Sequence, residues 1–256
     1  MSRDPYFDKP GMSASMLKAG AISMEMMRYR MNTPMKPTPA MLTGTFRHMA
    51  VLEHDKFMQL KLCDESSRTK AYKAAVEEHG REGVISSYDQ KNHLEAAAVV
   101  MAHPQVRALG LFDDGHAEVE KHWTCEHGPC KAKIDWEAQD FWVEFKTTAS
   151  IGSFIYQSER MNYPVQISHY ASSMDFKQCY VVVQEPKPPY EVAVYSVPSY
   201  LPAVWNKRTL DIYKRWNEYK AGGVFGGAYP ELLEYERPAF AEEADSLVDV
   251  PITEFI

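Results

Sequence analysis

Residues 131–148 read KAKIDWEAQDFWVEFKTT, and the polar side chains inside this stretch decide how the middle of the chain folds. KAKID and FWVEFKTT have the composition of strands, and a short polar turn at Ala138–Asp140 joins them. Antiparallel pairing brings Asp135 beside Glu144. Side chains alternate along a strand, so Glu144 and Lys146 share one face while Phe145 points to the other. Two acids and a lysine therefore converge on one point. Adjacent carboxylates repel unless a cation lies between them, and hard oxygen ligands suit Mg²⁺ or Mn²⁺. A lysine beside such an ion orients or deprotonates water and stabilises charge developing on a phosphate. The spacing is that of a metal-dependent site for cutting phosphodiesters. Taken alone, D-x8-E-x-K is also satisfied by a solvated hairpin of alternating charges, so the rest of the chain has to be read.

Upstream, GMSASMLKAGAISMEMMRYRMN opens on a Ser-x-Ser capping signal and continues as a helix until the prolines of MNTPMKPTP. MLTGTFRHMAVLEHDKFM resumes as a helix, with Met49, Leu52 and Phe57 as core positions. RTKAYKAAVEEHG reads as an exposed helix and SYDQKNHLEAAAVVMAHPQVRALGLF as a longer one. HAEVEKHWTC is a strand leading through the CEHGPC turn into CKAKIDWEA. Downstream, SFIYQSERMNYPVQISHYASSMDF is helical, and CYVVVQE and YEVAVYSV form a hairpin through PKPP. PSYLPAVWNKRTLDIYKRWNEYKAGG is the last long helix. The expected organisation is one α/β domain over residues 1–226 with a helical N-terminal section, followed by an acidic, extended tail over 227–256.

The chain has 256 residues and is 45% hydrophobic, enough for a sizeable core. No run of about 18 apolar residues appears, and MSRDPYFDKP has no signal-peptide apolar region, which points to a cytoplasmic protein. Four cysteines in such a chain are expected as thiols. The net charge of −7 is concentrated at one end: eight acids and one arginine lie from Glu231 onward, leaving 27 basic and 27 acidic residues before it. A balanced body with an acidic tail is compatible with a local basic surface and argues against a protein that coats nucleic acid non-specifically.

Three further elements complete the pattern. His48 and Glu53 follow a glycine in LTGTFRHMAVLE, placing an imidazole on a helix that can reach the acids. Gln166 and Tyr170 in YPVQISHY are four apart and share a helix face. In order, G-T-x-x-H-x-x-x-L-E, Asp, E-x-K-T and Q-x-x-x-Y resemble the RecB-like branch of the PD-(D/E)xK nucleases. The opening SASMLK, RTKAYKA, and GHAEVEKHW before KAKIDW resemble the RecE-type (exonuclease VIII) phage exonucleases, with lambda-type exonuclease more distant. The resemblance covers residues 11–220.

That resemblance implies a restriction-endonuclease-like α/β core, a central mixed sheet flanked by helices. It also implies a Mg²⁺-dependent exodeoxyribonuclease, with Mn²⁺ able to substitute, that digests linear double-stranded DNA from its ends, 5′ to 3′. The product is single strands for phage-type recombination by annealing, in the cytoplasm of a bacterial host. By its motifs, Asp135, Glu144 and the Phe145 carbonyl would hold metal, as would His48. Lys146 would orient the nucleophilic water, and Gln166 and Tyr170 would position Lys146 or the DNA. Glu118, preferred over Glu120 because it matches the A-E element, would serve a second metal or its water shell, whereas Glu53 would brace its helix. The resemblance further implies a ring-shaped homo-oligomer, a tetramer rather than a trimer, and an annealing protein as partner. Closed cyclic symmetry would repeat basic side chains around the DNA, with Arg68, Lys70 and Lys73 as candidates for lining the channel. The other readings are an endonuclease of restriction or repair type and a non-catalytic DNA-binding accessory protein. His122, Cys125, His127 and Cys130 also space a small zinc site, but four ligands within nine residues are tight for a tetrahedron. The cysteine order does not fit the iron–sulfur cluster of some RecB-like relatives.

Overall fold

In the computed structural model, which describes residues 5–33, 37–175 and 177–222, the first apolar stretch is two helices rather than one. α1 (Ala14–Ile22) stops at Ser23, whose backbone is extended and whose hydroxyl accepts the Met26 amide at 3.0 Å, capping α2 (Met24–Asn32). The expected helix through Met58 is likewise divided. α3 (Pro39–Leu52) begins with Thr38 as cap and ends at Glu53, which starts α4 (His54–Met58). Met49, Leu52 and Phe57 are buried as their spacing requires. β1 (Lys61–Leu62), α5 (Lys70–His79) and β2 (Val84–Ile85) follow, the two strands forming a parallel pair too short to leave a sequence signal. α6 (Ser87–Ala102) and α7 (Pro104–Ala108) are separated at His103, because a residue before proline is driven out of the helical region.

The central sheet is built from β3 (Gly115–Cys125), β4 (Gly128–Ala138) and β5 (Phe141–Thr147), then, after α8 (Phe154–Arg160) and α9 (Tyr163–Ala171), β6 (Gln178–Gln184) and β7 (Val192–Val197). α10 (Leu201–Gly222) closes the described chain, and the acidic tail expected over 227–256 lies outside the described residues. Strand order follows sequence, β3-β4-β5-β6-β7, and every pairing is antiparallel except β5–β6, where α8 and α9 make the crossover that parallel strands need. This is the mixed sheet flanked by helices that the motifs imply.

Side chains alternate between two cores as the pleat dictates. Val143, Phe145 and Val182 face a cluster filled by α3 and α6, including Phe46, Met49, Ala97 and Val100. Trp142, Val181 and Val183 face the opposite cluster with Phe154, Ile167 and Tyr170. A third cluster joins α1, α2, α9 and α10 around Cys130. Its packing is close: a Cβ on Gly20 would lie 2.7 Å from Ile212 and 2.9 Å from the Met27 sulfur, so only glycine lets α1 approach both neighbours.

The β3–β4 hairpin changes faces halfway along. Ala117 packs on the first cluster and Val119 on the second, although residues two apart on a regular strand share a face. Between them Glu118 has φ +55°, in the left-handed region, and drops out of a ladder that pairs Ala117 with Trp136 and Val119 with Ile134. A non-glycine residue there costs about 1–2 kcal/mol. The strained position faces Asp135.

Candidate active site

The β4–β5 ladder pairs Glu137 with Trp142 and Trp136 with Val143 and then stops. The next amide of β5 facing β4, that of Phe145, donates at 2.8 Å to Asp135 Oδ2 instead of to a backbone carbonyl. The two strands part at the kink, and the gap is lined by carboxylates. Asp135 and Glu118 come from the hairpin, Glu144 from β5. Into the gap α3 inserts His48, with Nε2 3.0 Å from Asp135 Oδ2 and Nδ1 3.2 Å from Glu118 Oε1. Lys133 lies 2.9 Å from the second oxygen of Glu118.

On the other side of Asp135, Lys146 bonds Glu144 Oε1 and lies 3.7 Å from Asp135 Oδ2. The Gln166 amide nitrogen, on α9, donates to the same Glu144 oxygen. The remaining oxygen, Oε2, is buried and has no hydrogen-bond partner. Glu144 is only 1% exposed, and with Lys146 it forms part of the wall of an apolar cavity of about 240 Å³ lined by Phe154, Tyr195 and Trp205. Beside Lys146 a second cleft of about 390 Å³ is lined by Thr147, Thr148, Gln157, Arg160 and Tyr163.

Burial opposes every charge in this gap, and neighbours decide each outcome. Burial lowers His48, but Asp135 and Glu118 outweigh it and raise the imidazole to about 10. Burial raises Asp135, but His48 and Lys146 hold it well below the usual carboxylate range. Glu118 is held low against burial by His48 and Lys133. Glu144 goes the other way: burial and the Asp135 charge push it up to about 7 despite Lys146. Burial lowers Lys146, yet Glu144 and Asp135 hold it above the ordinary lysine range, so it keeps its proton. Asp135 and Glu118 are thus ionised, and Glu144 is the last of the three acids to ionise.

The donor set fits a divalent cation. His48, Glu118 and Asp135 present ligand atoms within 4.8 Å of one another, and among the described residues no other group of His, Cys, Asp or Glu does so. The imidazolium now bridging two carboxylates occupies the electrostatic place of a cation, and Glu144 Oε2 is an acceptor without a donor. Of the residues singled out by sequence, His48, Glu118, Asp135, Glu144, Lys146 and Gln166 meet here. Tyr170 stands behind them, packed on Trp142 with ring centroids 6.0 Å apart and its phenol raised by burial and by Glu144. Arg68, Lys70 and Lys73 are exposed around the first turn of α5. In the zinc reading only Cys125 and Cys130 approach, at 3.5 Å, while His127 stacks on Tyr213 and His122 turns to Tyr6 and Glu120.

Two side chains reach the site without having been assigned a role from sequence. The Tyr163 ring lies under both Lys146, at 5.5 Å, and Lys18, at 5.2 Å. Lys18, from α1, donates to Gln166 Oε1 at 2.9 Å, and burial together with Lys146 lowers it to about 8. Lys18 closes the SASMLK stretch and Tyr163 opens YPVQISHY, but nothing in either stretch shows that the two side chains meet.

No protein-family profile matches the chain, and no curated protein matches it. Among solved structures, a candidate exonuclease from Eubacterium rectale superposes with a TM-score of 0.62 at 16% identity, covering 95% of this chain and 98% of that one. The chain has that structure's fold, a central mixed sheet flanked by helices. Two further structures align less closely. A phage-related exonuclease from Haemophilus somnus has a TM-score of 0.33 at 10% identity, covering 67% of this chain and 95% of its own. An alkaline exonuclease from Laribacter hongkongensis has a TM-score of 0.30 at 13%, covering 72% and 96%. Within this fold, the strand gap described above is where acids from β3, β4 and β5 meet the helix carrying His48. None of the described helices is long and apolar enough to cross a membrane.

Proposed function

We propose that the chain is a metal-dependent exodeoxyribonuclease that digests linear double-stranded DNA from its ends, 5′ to 3′. The observation that carries this reading is the buried, unpartnered oxygen of Glu144, held between Asp135 and Lys146. Asp135, Glu144, His48 and Glu118 would hold Mg²⁺ or Mn²⁺, together with the Phe145 carbonyl. A bound divalent ion polarises a phosphate and lowers the pKa of water. The protein groups do the rest. Lys146, fixed by Glu144 and resting over Tyr163, donates toward a phosphate oxygen as negative charge develops, because its raised pKa makes it a donor rather than a base. Gln166 keeps Glu144 in place, and the cleft beside Thr147 and Arg160 gives the sugar–phosphate chain a polar path.

The fold likeness supports nuclease chemistry in general. The choice of exonuclease rests on the RecE-type motifs and on the names borne by the structural neighbours. The same resemblance supports a single nuclease domain, a ring-shaped homo-oligomer, most simply a tetramer, an annealing protein as partner, and a phage or prophage origin. The test is release of nucleotides from linear duplex in Mg²⁺, set against covalently closed circular DNA of the same sequence. Digestion of the linear form alone, abolished by Lys146→Ala, is expected. Cutting of the circle would instead establish an endonuclease, and no cleavage of either by a Mg²⁺-binding protein would establish a DNA-binding module. Light scattering at micromolar concentration tests the ring.

A further inference from the structure

Glutamine is nearly symmetric in shape, with a carbonyl at one end of its amide and two N–H donors at the other. Beside a carboxylate only one orientation is tolerable: nitrogen toward the acid. Gln166 adopts it, and Lys18 is the group that enforces it. An ammonium has donors and no acceptor, so Lys18 Nζ, 2.9 Å from Gln166 Oε1, admits only the oxygen end of the amide. The nitrogen end is thereby committed to Glu144 Oε1. With Lys146 on that same oxygen, the carboxylate is rotated so that Oε2 is left unpartnered in the buried gap.

We propose that Lys18 is a positioning residue that acts through Gln166 to set the orientation of the Glu144 carboxylate. Its mounting suits that role. Leu17 is fully buried in the third cluster, and Gly20 is pressed against Ile212 and Met27. Just before α1, Met12 accepts from the Lys131 amide at 2.9 Å and donates to the Pro129 carbonyl at 2.8 Å, tying the helix to β4. Lys18 and Lys146 straddle the Tyr163 ring, so the two ammoniums approach Gln166 and Glu144 separately. One chain of donors and acceptors therefore runs from α1 through α9 to β5, and every link has a fixed polarity.

The inference rests on the metal-site reading given above, and the experiment separates the two. Partners that orient a metal ligand typically account for a 10–100-fold change in metal affinity. Calorimetric titration with Mn²⁺ is expected to show a loss in that range for Lys18→Met, with unchanged thermal stability, and recovery for Lys18→Arg, which keeps a donor. Gln166→Ala should lose a similar factor, and the Lys18→Met/Gln166→Ala double variant no more than Gln166→Ala alone. Full affinity in Lys18→Met, or losses that multiply in the double variant, would overturn the inference while leaving the site intact. A wild-type protein that binds no Mn²⁺ would overturn the site reading and the inference with it. In the metal-free protein, the Gln166 side-chain amide signals should shift and exchange faster with water in Lys18→Met; unchanged signals would refute the positioning role whatever the metal does.

Discussion

Arg47 and His48 are neighbours on α3, the first buried and the second half-buried, and their surroundings are opposite. Arg47, 1% exposed, has neutral partners: it donates to Gln184 Oε1 at 2.6 Å, to His93 Nδ1 at 3.2 Å and to the Pro186 carbonyl at 3.4 Å, with its guanidinium over the Tyr190 ring. Gln184 in turn donates to the carbonyls of Ala96 and Tyr190. Burial lowers Arg47 to about 10, while two carboxylates raise His48 to about the same value. The first cluster satisfies its polar groups with dipoles and ties α3, α6 and β6 together. The second crowds three acids and leaves one oxygen without a donor. A satisfied cluster is scaffold, and an electrostatically unfinished one awaits a ligand.

Substitutions can break that contrast. The largest effect expected is on activity: Asp135→Asn or Glu144→Gln should lower Mg²⁺-dependent cleavage by orders of magnitude while the circular dichroism spectrum is unchanged. Near wild-type rates in either would remove both from the site. Arg47→Ala should do the reverse, lowering stability by about 3 kcal/mol or more because buried acceptors lose their donor. Urea unfolding measures it, and a loss under 1 kcal/mol would show that the cluster is not scaffold. For metal binding the sign is set by protons. His48, raised to about 10, and Glu144, raised to about 7, must both lose protons before they ligate, so affinity should rise between pH 6 and 9. Titration in buffers of different ionisation enthalpy should show proton release, and pH-independent affinity would exclude His48 as a ligand.

Smaller effects sharpen the comparison. The folded pKa of Glu144 is raised, so its ionised form opposes folding increasingly as pH rises from its ordinary 4.5 through 7. Glu144→Gln should therefore be more stable than wild type by about 1–2 kcal/mol at pH 8 and match it near pH 4. Equal stability at both would mean that Lys146 already neutralises the carboxylate. The least effect is expected at Arg68, Lys70 and Lys73, exposed at the start of α5 and just before it, in neither cluster. Replacing all three with alanine should weaken DNA binding a few-fold and reduce the salt dependence of log K by at most about 3. An unchanged salt slope would remove α5 from the DNA path.

The parts of this molecule that obey a period were readable from sequence. The alternation in FWVEFKTT put Glu144 and Lys146 on one face, and the Ala138–Asp140 turn put Asp135 opposite Glu144. What lacked a period was not. The helix breaks at Ser23 and Glu53 depend on single caps within otherwise helical runs. Glu118 was preferred over Glu120 from a motif, but its left-handed backbone is imposed by the hairpin crossing between two cores. Arg47 gave no signal beside His48, because its partners Gln184 and Pro186 lie far along the chain. Lys18 and Tyr163 stand inside SASMLK and YPVQISHY, but their meeting depends on how α1 and α9 pack, which no local pattern encodes.

The parting of β4 from β5 also shapes the order in which the chain assembles. β3 and β4 are joined by a two-residue turn and zip locally, whereas β5 can meet β6 only after the segment carrying α8 and α9 has folded back across the sheet. Asp135 and Glu118 are therefore brought together early, by a hairpin that needs nothing else. Gln166 arrives with the crossover, and His48 arrives when α3 docks. Two of the three acids thus owe their proximity to local pairing, whereas Glu144 and the groups that hold it, Lys18 and Gln166, come together only through contacts between distant parts of the chain.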